Sequence, residues 1–260
     1  MSSMLFNTEA WYNITLKELQ LLETVDHMFL RRLLGAPKCT PKEMLYLELG
    51  CIPFRDIIRK RRLLFLHYIL NEREDSLIQK VFQSQLKNRA KKVFKDLEEL
   101  ELDCTLIEIK TMKKAKFLSL IKKIIEQKVF VYLEKKKENH SKVNKINHYG
   151  IQMEKYLKPN SEKMTREEIK LIFKMRCKVT ETKMNFKGLH DTYECDACDN
   201  ENETQEHIIQ CKVLNILNIE NTEKELPKYE KLLNGKVHEQ IQIARIFKQN
   251  MDIKDQIAKG

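Results

Sequence analysis

The sequence predicts a mainly α-helical protein, and three observations support this fold class. Only six glycines and five prolines occur among 260 residues, which is too few for the tight turns of a β-sandwich, a barrel or a Rossmann sheet. Hydrophobic residues make up 42% of the chain, enough to form a sizeable core. Threonine is followed three residues later by glutamate at five places where helical apolar spacing begins, a capping-box pattern that marks helix N-termini. The five pairs are Thr15/Glu18, Thr40/Glu43, Thr105/Glu108, Thr165/Glu168 and Thr222/Glu225.

The first predicted helix covers residues 16–34 and ends before Gly35 and Pro37. Its core-facing stripe is predicted to contain Leu19, Leu22, Val25, Phe29 and Leu33. Residues 129–131 are predicted as helix, because a strand there would interrupt an unbroken 3.6-residue period. The other predicted helices cover residues 41–49, 53–70, 77–86, 93–100, 112–137, 166–178, 226–233 and 237–249.

A polar stretch divides the chain. Residues 138–150 are rich in Asn, Lys and His, which is typical of a linker. We therefore predict a helical domain over 15–140, a linker with one connecting helix over 141–184, and a last module over 185–260 that ends in helices.

Composition also bounds the location of the protein. No apolar run approaches the ~18 residues that a membrane span needs, and the N-terminus lacks the basic and apolar regions of a signal peptide. Seven cysteines are an odd number, which disfavours a disulfide framework. We expect an intracellular protein, nuclear or cytoplasmic, with no membrane partner and with thiols that bind metal or pack in the core.

Positive charge is concentrated in two places of a chain whose formal net charge is +10. Residues 110–145 contain twelve lysines and three glutamates. A second cluster lies in the predicted helix 53–70, where Arg55, Arg59 and Arg62 share one face by their i, i+4, i+7 spacing. Two basic helices are typical of a protein that binds a nucleic-acid backbone by releasing counterions. The candidate contacts are Arg55, Arg59, Lys60, Arg61, Arg62, Lys113, Lys114, Lys116, Lys122 and Lys123.

The most specific motif is a set of four metal-ligand residue types in the pattern C-x2-C-x8-H-x3-C. Cys195 and Cys198 can share one tight turn, and His207 and Cys211 lie on one face of a helix that Thr204 could cap. Three thiolates and one imidazole complete the tetrahedral coordination of Zn²⁺ and leave no open position. We therefore predict a structural zinc site rather than a catalytic one.

The metal segment itself is acidic. Between Tyr193 and Cys211 there are six acidic residues and no Lys or Arg. A segment that gripped phosphate directly would be basic. We expect the metal to stabilise a small fold or a protein contact, and the basic helices to hold nucleic acid.

Several runs of this sequence resemble the region that follows the catalytic core in non-LTR (LINE-type) retrotransposon reverse transcriptases. They are LLGAP at 33–37, TPKEMLYLELGCIP at 40–53 and RRLLFLHYILN at 61–71. The Cys195/Cys198/His207/Cys211 set, with ETQEH at 203–207, is similar to the zinc knuckle late in those polyproteins. The run EAW at 9–11 is similar to the end of the polymerase palm. Together the runs follow the family's order and cover most of the chain.

The resemblance implies a helical, thumb-like bundle that holds template RNA and nascent DNA, followed by the zinc knuckle, with residues 1–14 as the end of the palm. It also implies contacts with the nucleic-acid backbone by five basic residues, Arg55, Arg59, Lys60, Arg61 and Arg62. Reverse transcription needs paired aspartates for two Mg²⁺ ions, and this sequence has no Asp-Asp pair, nor the Pro-Asp dipeptide of the associated endonuclease. We therefore expect a C-terminal portion of such an element, separated from its palm partner and not an enzyme by itself.

Two functions remain open at this point. The first is a binding module that holds RNA or an RNA–DNA hybrid through basic helices and carries a structural zinc knuckle. The alternative is a protein–protein interaction module, in which the acidic knuckle docks a partner and the basic helices are ordinary solvated surface. An active enzyme is disfavoured, because no carboxylate cluster or nucleophile–base pair stands out.

Overall fold

The computed structural model describes residues 14–88, 91–139, 152–158, 164–217 and 228–258. Over these ranges the chain forms twelve α-helices and no β-strand, so the predicted mainly α fold class is confirmed. Within the same ranges no helix is long and apolar enough to cross a bilayer. The run that resembles the palm end, at 9–11, lies outside the described residues. The helices are α1 (Leu16–Leu34), α2 (Lys42–Leu49), α3 (Phe54–Asn71), α4 (Leu77–Asn88), α5 (Lys91–Glu99), α6 (Leu106–Thr111), α7 (Lys114–Asn139), α8 (Arg166–Arg176), α9 (Gln205–Gln210), α10 (Lys212–Leu217), α11 (Lys231–Asn234) and α12 (Val237–Ile257).

Three of the predicted capping boxes form. The hydroxyls of Thr15, Thr105 and Thr165 each accept the N–H of the glutamate three residues later, and that glutamate accepts the threonine N–H in return. These bonds satisfy N–H groups that have no partner inside the helix. They explain why α1, α6 and α8 begin where the pattern predicted.

The capping box predicted at Thr40 is wrong. Pro41 takes the N-cap position of α2 with extended ψ, so α2 begins at Lys42 and Thr40 lies one residue too early to cap it. The Thr40 hydroxyl oxygen is instead buried without a hydrogen-bond partner. The fifth predicted box, Thr222/Glu225, lies outside the described residues.

The buried stripe of α1 differs from the prediction after its second turn. Leu19 and Leu22 pack against Phe54 and Ile58. Further along, the exposed fraction of the predicted stripe is close to half, and the buried positions are shifted by one residue. The buried side chains there are Asp26, Leu30 and Leu34 in place of Val25, Phe29 and Leu33. Apolar residues occupy adjacent positions along this helix, so periodicity alone could not choose between the two faces.

The chain divides into two compact units. The described residues of Met1–Met28 and Cys51–Lys135 form the N-terminal unit, and those of Phe29–Gly50 and Lys136–Gly260 form the C-terminal unit. This division differs from the linear one predicted, because residues 29–50 belong with the end of the chain. It also places α8, predicted as a connecting helix, inside the C-terminal unit, where Ile172 and Phe173 are fully buried.

The N-terminal unit is organised around α3, which contacts α4, α5 and α6. The rings of His67 and Phe117 stack with centroids 5.3 Å apart and join α3 to the start of α7. Residues 129–131 are helical, as predicted. α7 contributes a buried stripe with four-residue spacing, made of Phe117, Ile121, Ile125, Val129 and Leu133.

The C-terminal unit contains a fully buried polar network. The Nε of Arg176 in α8 donates to both carboxylate oxygens of Glu48 in α2, at 2.9 and 3.0 Å. The Tyr156 hydroxyl donates to the same carboxylate at 2.6 Å, and Arg176 Nη1 donates to the carbonyls of Leu232 and Leu233 in α11. The network therefore joins α2, α8, α11 and the short 3₁₀ turn Lys155–Leu157.

Candidate metal centre and basic surfaces

Cys195, Cys198, His207 and Cys211 come together in the C-terminal unit, with one ligand atom from each residue and all four atoms within 4.8 Å of one another. Three of these residues are buried, and Cys198 is half-buried. The four residues could therefore hold a metal ion, as their spacing predicted. Three sulfurs and one imidazole nitrogen are a donor set that suits thiophilic metal ions in tetrahedral coordination.

The first two ligands lie in a tight turn. The N–H groups of Cys198 and Asp199 donate to the carbonyl of Cys195 at 3.3 and 2.9 Å. Asp199 has a φ of +53°, a left-handed conformation that Asp and Asn adopt more readily than most residues. The chain then returns, and the carbonyl of Glu201 accepts the N–H of Cys195 at 2.8 Å. This turn points both cysteine sulfurs toward the cluster.

The other two ligands are positioned by α9. The Thr204 hydroxyl accepts the N–H of His207 at 2.9 Å, so the predicted cap is confirmed. Cys211 is the C-cap residue of α9, and its N–H donates to the carbonyl of His207 at 2.6 Å. The intervening Ile208 and Ile209 are fully buried, and α9 packs against α12. Burial of the short helix thus sets the direction of both ligands.

The two ring nitrogens of His207 face different partners. Nε2 lies 3.4 Å from the sulfur of Cys198, inside the cluster. Nδ1 lies 3.0 Å from a carboxylate oxygen of Glu201, outside it. The histidine is therefore oriented so that Nε2 is the nitrogen available to a metal.

The cysteine thiols differ in acidity. Burial, together with the neighbouring thiols of Cys198 and Cys211, raises the pKa of Cys195 to about 12. For Cys198 burial acts in the same direction, but backbone N–H groups of Asn200 and Glu201 outweigh it and lower the pKa on balance. Thiols bind metals as thiolates, so metal binding here would release protons.

Lysines from outside the acidic metal segment neutralise half of its six carboxylates. They come from the residues that follow α8, from the turn before the segment, and from α12 near the end of the chain. The pairs are Glu206–Lys178 at 2.8 Å, Asp196–Lys183 at 2.5 Å and Glu203–Lys254 at 3.1 Å. Much of the acidic character of this segment therefore serves to fix it within its own unit.

Two of the three arginines on this face of α3, Arg59 and Arg62, are turned toward carboxylates of α5. Arg62 is 8% exposed, and its Nε and Nη2 donate to the two carboxylate oxygens of Asp96 at 2.6 and 2.5 Å. Arg59 pairs with Asp56 at 2.9 Å and with Glu99. The guanidinium of Arg62 is thus already bound and buried, and its role as a phosphate contact stays a prediction.

The remaining basic residues predicted on α3 are more accessible. Arg55 forms a two-point ion pair with Glu23, at 2.7 and 3.0 Å, and its side chain is 40% exposed. Lys60 and Arg61 are half-buried. Their role as phosphate contacts stays a prediction.

The predicted lysines of the α7 region remain on the surface. Lys113, Lys114, Lys116, Lys122 and Lys123 are all exposed. Lys122 lies 3.7 Å from Glu126. Within the described part of the chain, no hydrogen bond or ion pair engages the other four. We name these five residues the α7 lysine surface.

Sequence reasoning missed the side chains that surround the metal cluster. Glu201 lies six residues before His207, with no spacing rule that links a carboxylate to a ring nitrogen. Lys254 lies 51 residues after its partner Glu203. Neither pair has a local sequence signal. The turn before α9 brings Glu201 to His207, and the packing of α12 brings Lys254 to Glu203.

Comparisons of this chain with protein-family models, with curated proteins and with solved structures find no match.

Proposed function

We propose that this chain binds RNA or an RNA–DNA hybrid through the α7 lysine surface, and that a structural Zn²⁺ at Cys195, Cys198, His207 and Cys211 stabilises the C-terminal unit. The proposal includes an origin in the region that follows the catalytic core of non-LTR retrotransposon reverse transcriptases. It assigns binding, and not catalysis, to this chain, because the sequence has no paired aspartates for two-metal phosphoryl transfer.

The contrast between the two basic clusters carries the nucleic-acid part of the proposal. On α3, Arg59 and Arg62 are paired with carboxylates of the same unit. On α7, Lys116 and Lys123 are exposed and lie seven residues apart, about two helical turns, and thus on one face. Exposed ammonium groups without acidic partners can displace the counterions of a phosphate backbone. This favours α7 as the binding surface.

The donor chemistry supports zinc. Three sulfurs and one imidazole nitrogen fill a tetrahedral site and leave no position for water or substrate. Zinc bound there would cross-link the turn at Cys195 and Cys198 to α9 and so stabilise the fold. Metal analysis of protein expressed with ample zinc is expected to give one equivalent per chain, and less than about half an equivalent would contradict this assignment.

Salt dependence tests the nucleic-acid part. Contact with about five phosphates predicts that log K for an RNA–DNA hybrid falls with log[salt] at a slope steeper than roughly −3. The triple variant Lys114→Gln, Lys116→Gln, Lys123→Gln is expected to reduce that slope by about 2–3. The matched control changes three exposed lysines of the C-terminal unit, Lys212→Gln, Lys228→Gln and Lys248→Gln. An equal reduction in both triple variants would show non-specific attraction and contradict a site on α7.

The second candidate function is docking of a protein partner by the acidic metal segment. It is favoured by two exposed apolar side chains in the residues that precede Cys195, since Leu189 is 78% exposed and Tyr193 39% exposed, and by the exposed carboxylates of Glu194 and Asp199. No binding to the hybrid at low salt, or binding that does not depend on salt, would favour this function over the first.

A further inference from the structure

We propose that Glu201 is the positioning residue of the metal centre, which orients His207 and fixes the ring nitrogen that carries its proton. This inference rests on the zinc site proposed above and assigns a role to a residue that is not itself a ligand. Glu201 Oε2 lies 3.0 Å from His207 Nδ1.

The two ring nitrogens of His207 have different roles. Nε2 faces the sulfur of Cys198 at 3.4 Å and is the nitrogen that a metal would bind. A neutral imidazole that ligates through Nε2 carries its proton on Nδ1. The Glu201 carboxylate accepts a hydrogen bond from that position, so it selects the tautomer in which Nε2 presents a lone pair to the metal.

Glu201 is held in place by the same turn that it supports. Its backbone carbonyl accepts the N–H of Cys195 at 2.8 Å. One residue thus contacts both halves of the centre, the first cysteine through its backbone and the histidine through its side chain. The carboxylates of Asp196, Glu203 and Glu206 are paired with lysines, whereas that of Glu201 lies 3.0 Å from His207 Nδ1.

The affinity of the chain for Zn²⁺ measures the positioning role of Glu201. Residues that orient a ligating histidine typically contribute 10–100-fold to metal affinity, and the Glu201 side chain is 73% exposed, so we expect the lower end, about tenfold. The experiment is competition of the full-length chain with a chromophoric chelator for Zn²⁺. It compares the unsubstituted protein with Glu201→Ala, Glu201→Gln and the control Glu194→Ala, which removes an exposed carboxylate of the same segment.

Three results are expected. Glu201→Ala weakens zinc binding about tenfold, Glu201→Gln recovers most of the loss because its amide oxygen still accepts the Nδ1–H bond, and Glu194→Ala binds like the unsubstituted protein. In ¹⁵N spectra of the zinc-loaded chain, the signals of His207 show its proton on Nδ1. Of the three variants, only Glu201→Ala shifts the Nδ1 signal. A purely structural defect would leave the ¹⁵N signal of His207 Nδ1 unshifted.

The inference is overturned if Glu201→Ala binds zinc as tightly as the unsubstituted chain, if Glu201→Gln loses as much as Glu201→Ala, or if Glu194→Ala loses as much as either. Failure of the zinc site itself is distinguishable, because the unsubstituted chain would then take up no zinc. Equal far-ultraviolet circular dichroism of the zinc-loaded variants shows that they are folded.

Discussion

At the scale of single residues, Asp26 shows how burial changes the chemistry of a side chain. Asp26 is 2% exposed, and its Oδ1 has no hydrogen-bond partner. Burial, with a further contribution from the nearby Glu23 carboxylate, raises the pKa of Asp26 from 3.8 to about 6. An ionised carboxylate at this position is therefore unfavourable to the fold.

The substitution Asp26→Asn is expected to stabilise the protein at high pH and not at low pH. Since the folded pKa lies above the unfolded one, the folded state retains the proton through the window from 3.8 to about 6. The unsubstituted protein thus loses stability as pH rises through that window, and the loss is complete above it. The Asp26→Asn variant has no charge to bury at this position, so its urea midpoint should exceed the unsubstituted value at about pH 8 and match it at about pH 4.

The control for this prediction is Asp75→Asn, which changes an exposed aspartate of the same unit. It should leave the urea midpoint unchanged at both pH values. A gain of equal size at both pH values for Asp26→Asn would show that the charge of Asp26 is not the cause.

At the scale of elements, one arginine holds several helices of the C-terminal unit together. Arg176 is 3% exposed and Glu48 is fully buried. Their ion pair joins α8 to α2, and Arg176 also binds the carbonyls of Leu232 and Leu233 in α11. The backbone beside this network is closely packed. A Cβ on Gly50, whose φ is +58°, would lie 2.1 Å from the backbone nitrogen of Met153. Only glycine therefore allows the chain at 152–153 to cross the end of α2.

Arg176→Met is expected to lower the free energy of unfolding by about 3–5 kcal/mol, because Glu48 would keep a buried charge without its cation. The matched control is Arg245→Met, which removes a side chain that is 60% exposed and paired with Glu168. Its expected cost is about 0–1 kcal/mol, as for surface ion pairs. Urea unfolding measures both, and equal costs would contradict the importance of the buried network.

At the scale of the whole molecule, the metal ligands all belong to one of the two units. Cys195, Cys198, His207 and Cys211 lie in the C-terminal unit. The helix that positions two of them, α9, has six residues, too few to be stable in water without tertiary contacts or a metal. The N-terminal unit has its own buried core around α3.

Chelation of the metal is therefore expected to act on the two units unequally. Amide hydrogen exchange should accelerate in α9 and the Cys195 turn, while the amides of α3 keep their protection. Mass spectrometry of peptides from the two regions, with and without chelator, makes the measurement. Cys195→Ser, which lacks one ligand, should no longer respond to chelator. Equal deprotection of α3 and α9 would contradict a metal that stabilises only the C-terminal unit.

Local features of the sequence predicted most of the helices and the candidate metal ligands. The caps at Thr105 and Thr165 each act within four residues, and the four ligands fall within 17 residues of chain. Such short-range patterns depend only on the backbone geometry that a short segment adopts by itself. They failed where two local rules competed, as at Thr40, where Pro41 took the capping position.

The amino-acid sequence by itself determined the helical fold class and the set of residues that can bind a metal. Only the tertiary structure decided which charged side chains are engaged in ion pairs within the protein. Arg62 and Asp96 lie 34 residues apart, and Glu203 and Lys254 lie 51 apart, so helical periodicity placed these residues on faces but could not say what each face would meet. The same limit applies to the two units, because residues 29–50 join the end of the chain through packing that no local pattern records. The physical reason is that an ion pair between distant segments forms only when their helices pack together, and packing depends on the whole chain at once.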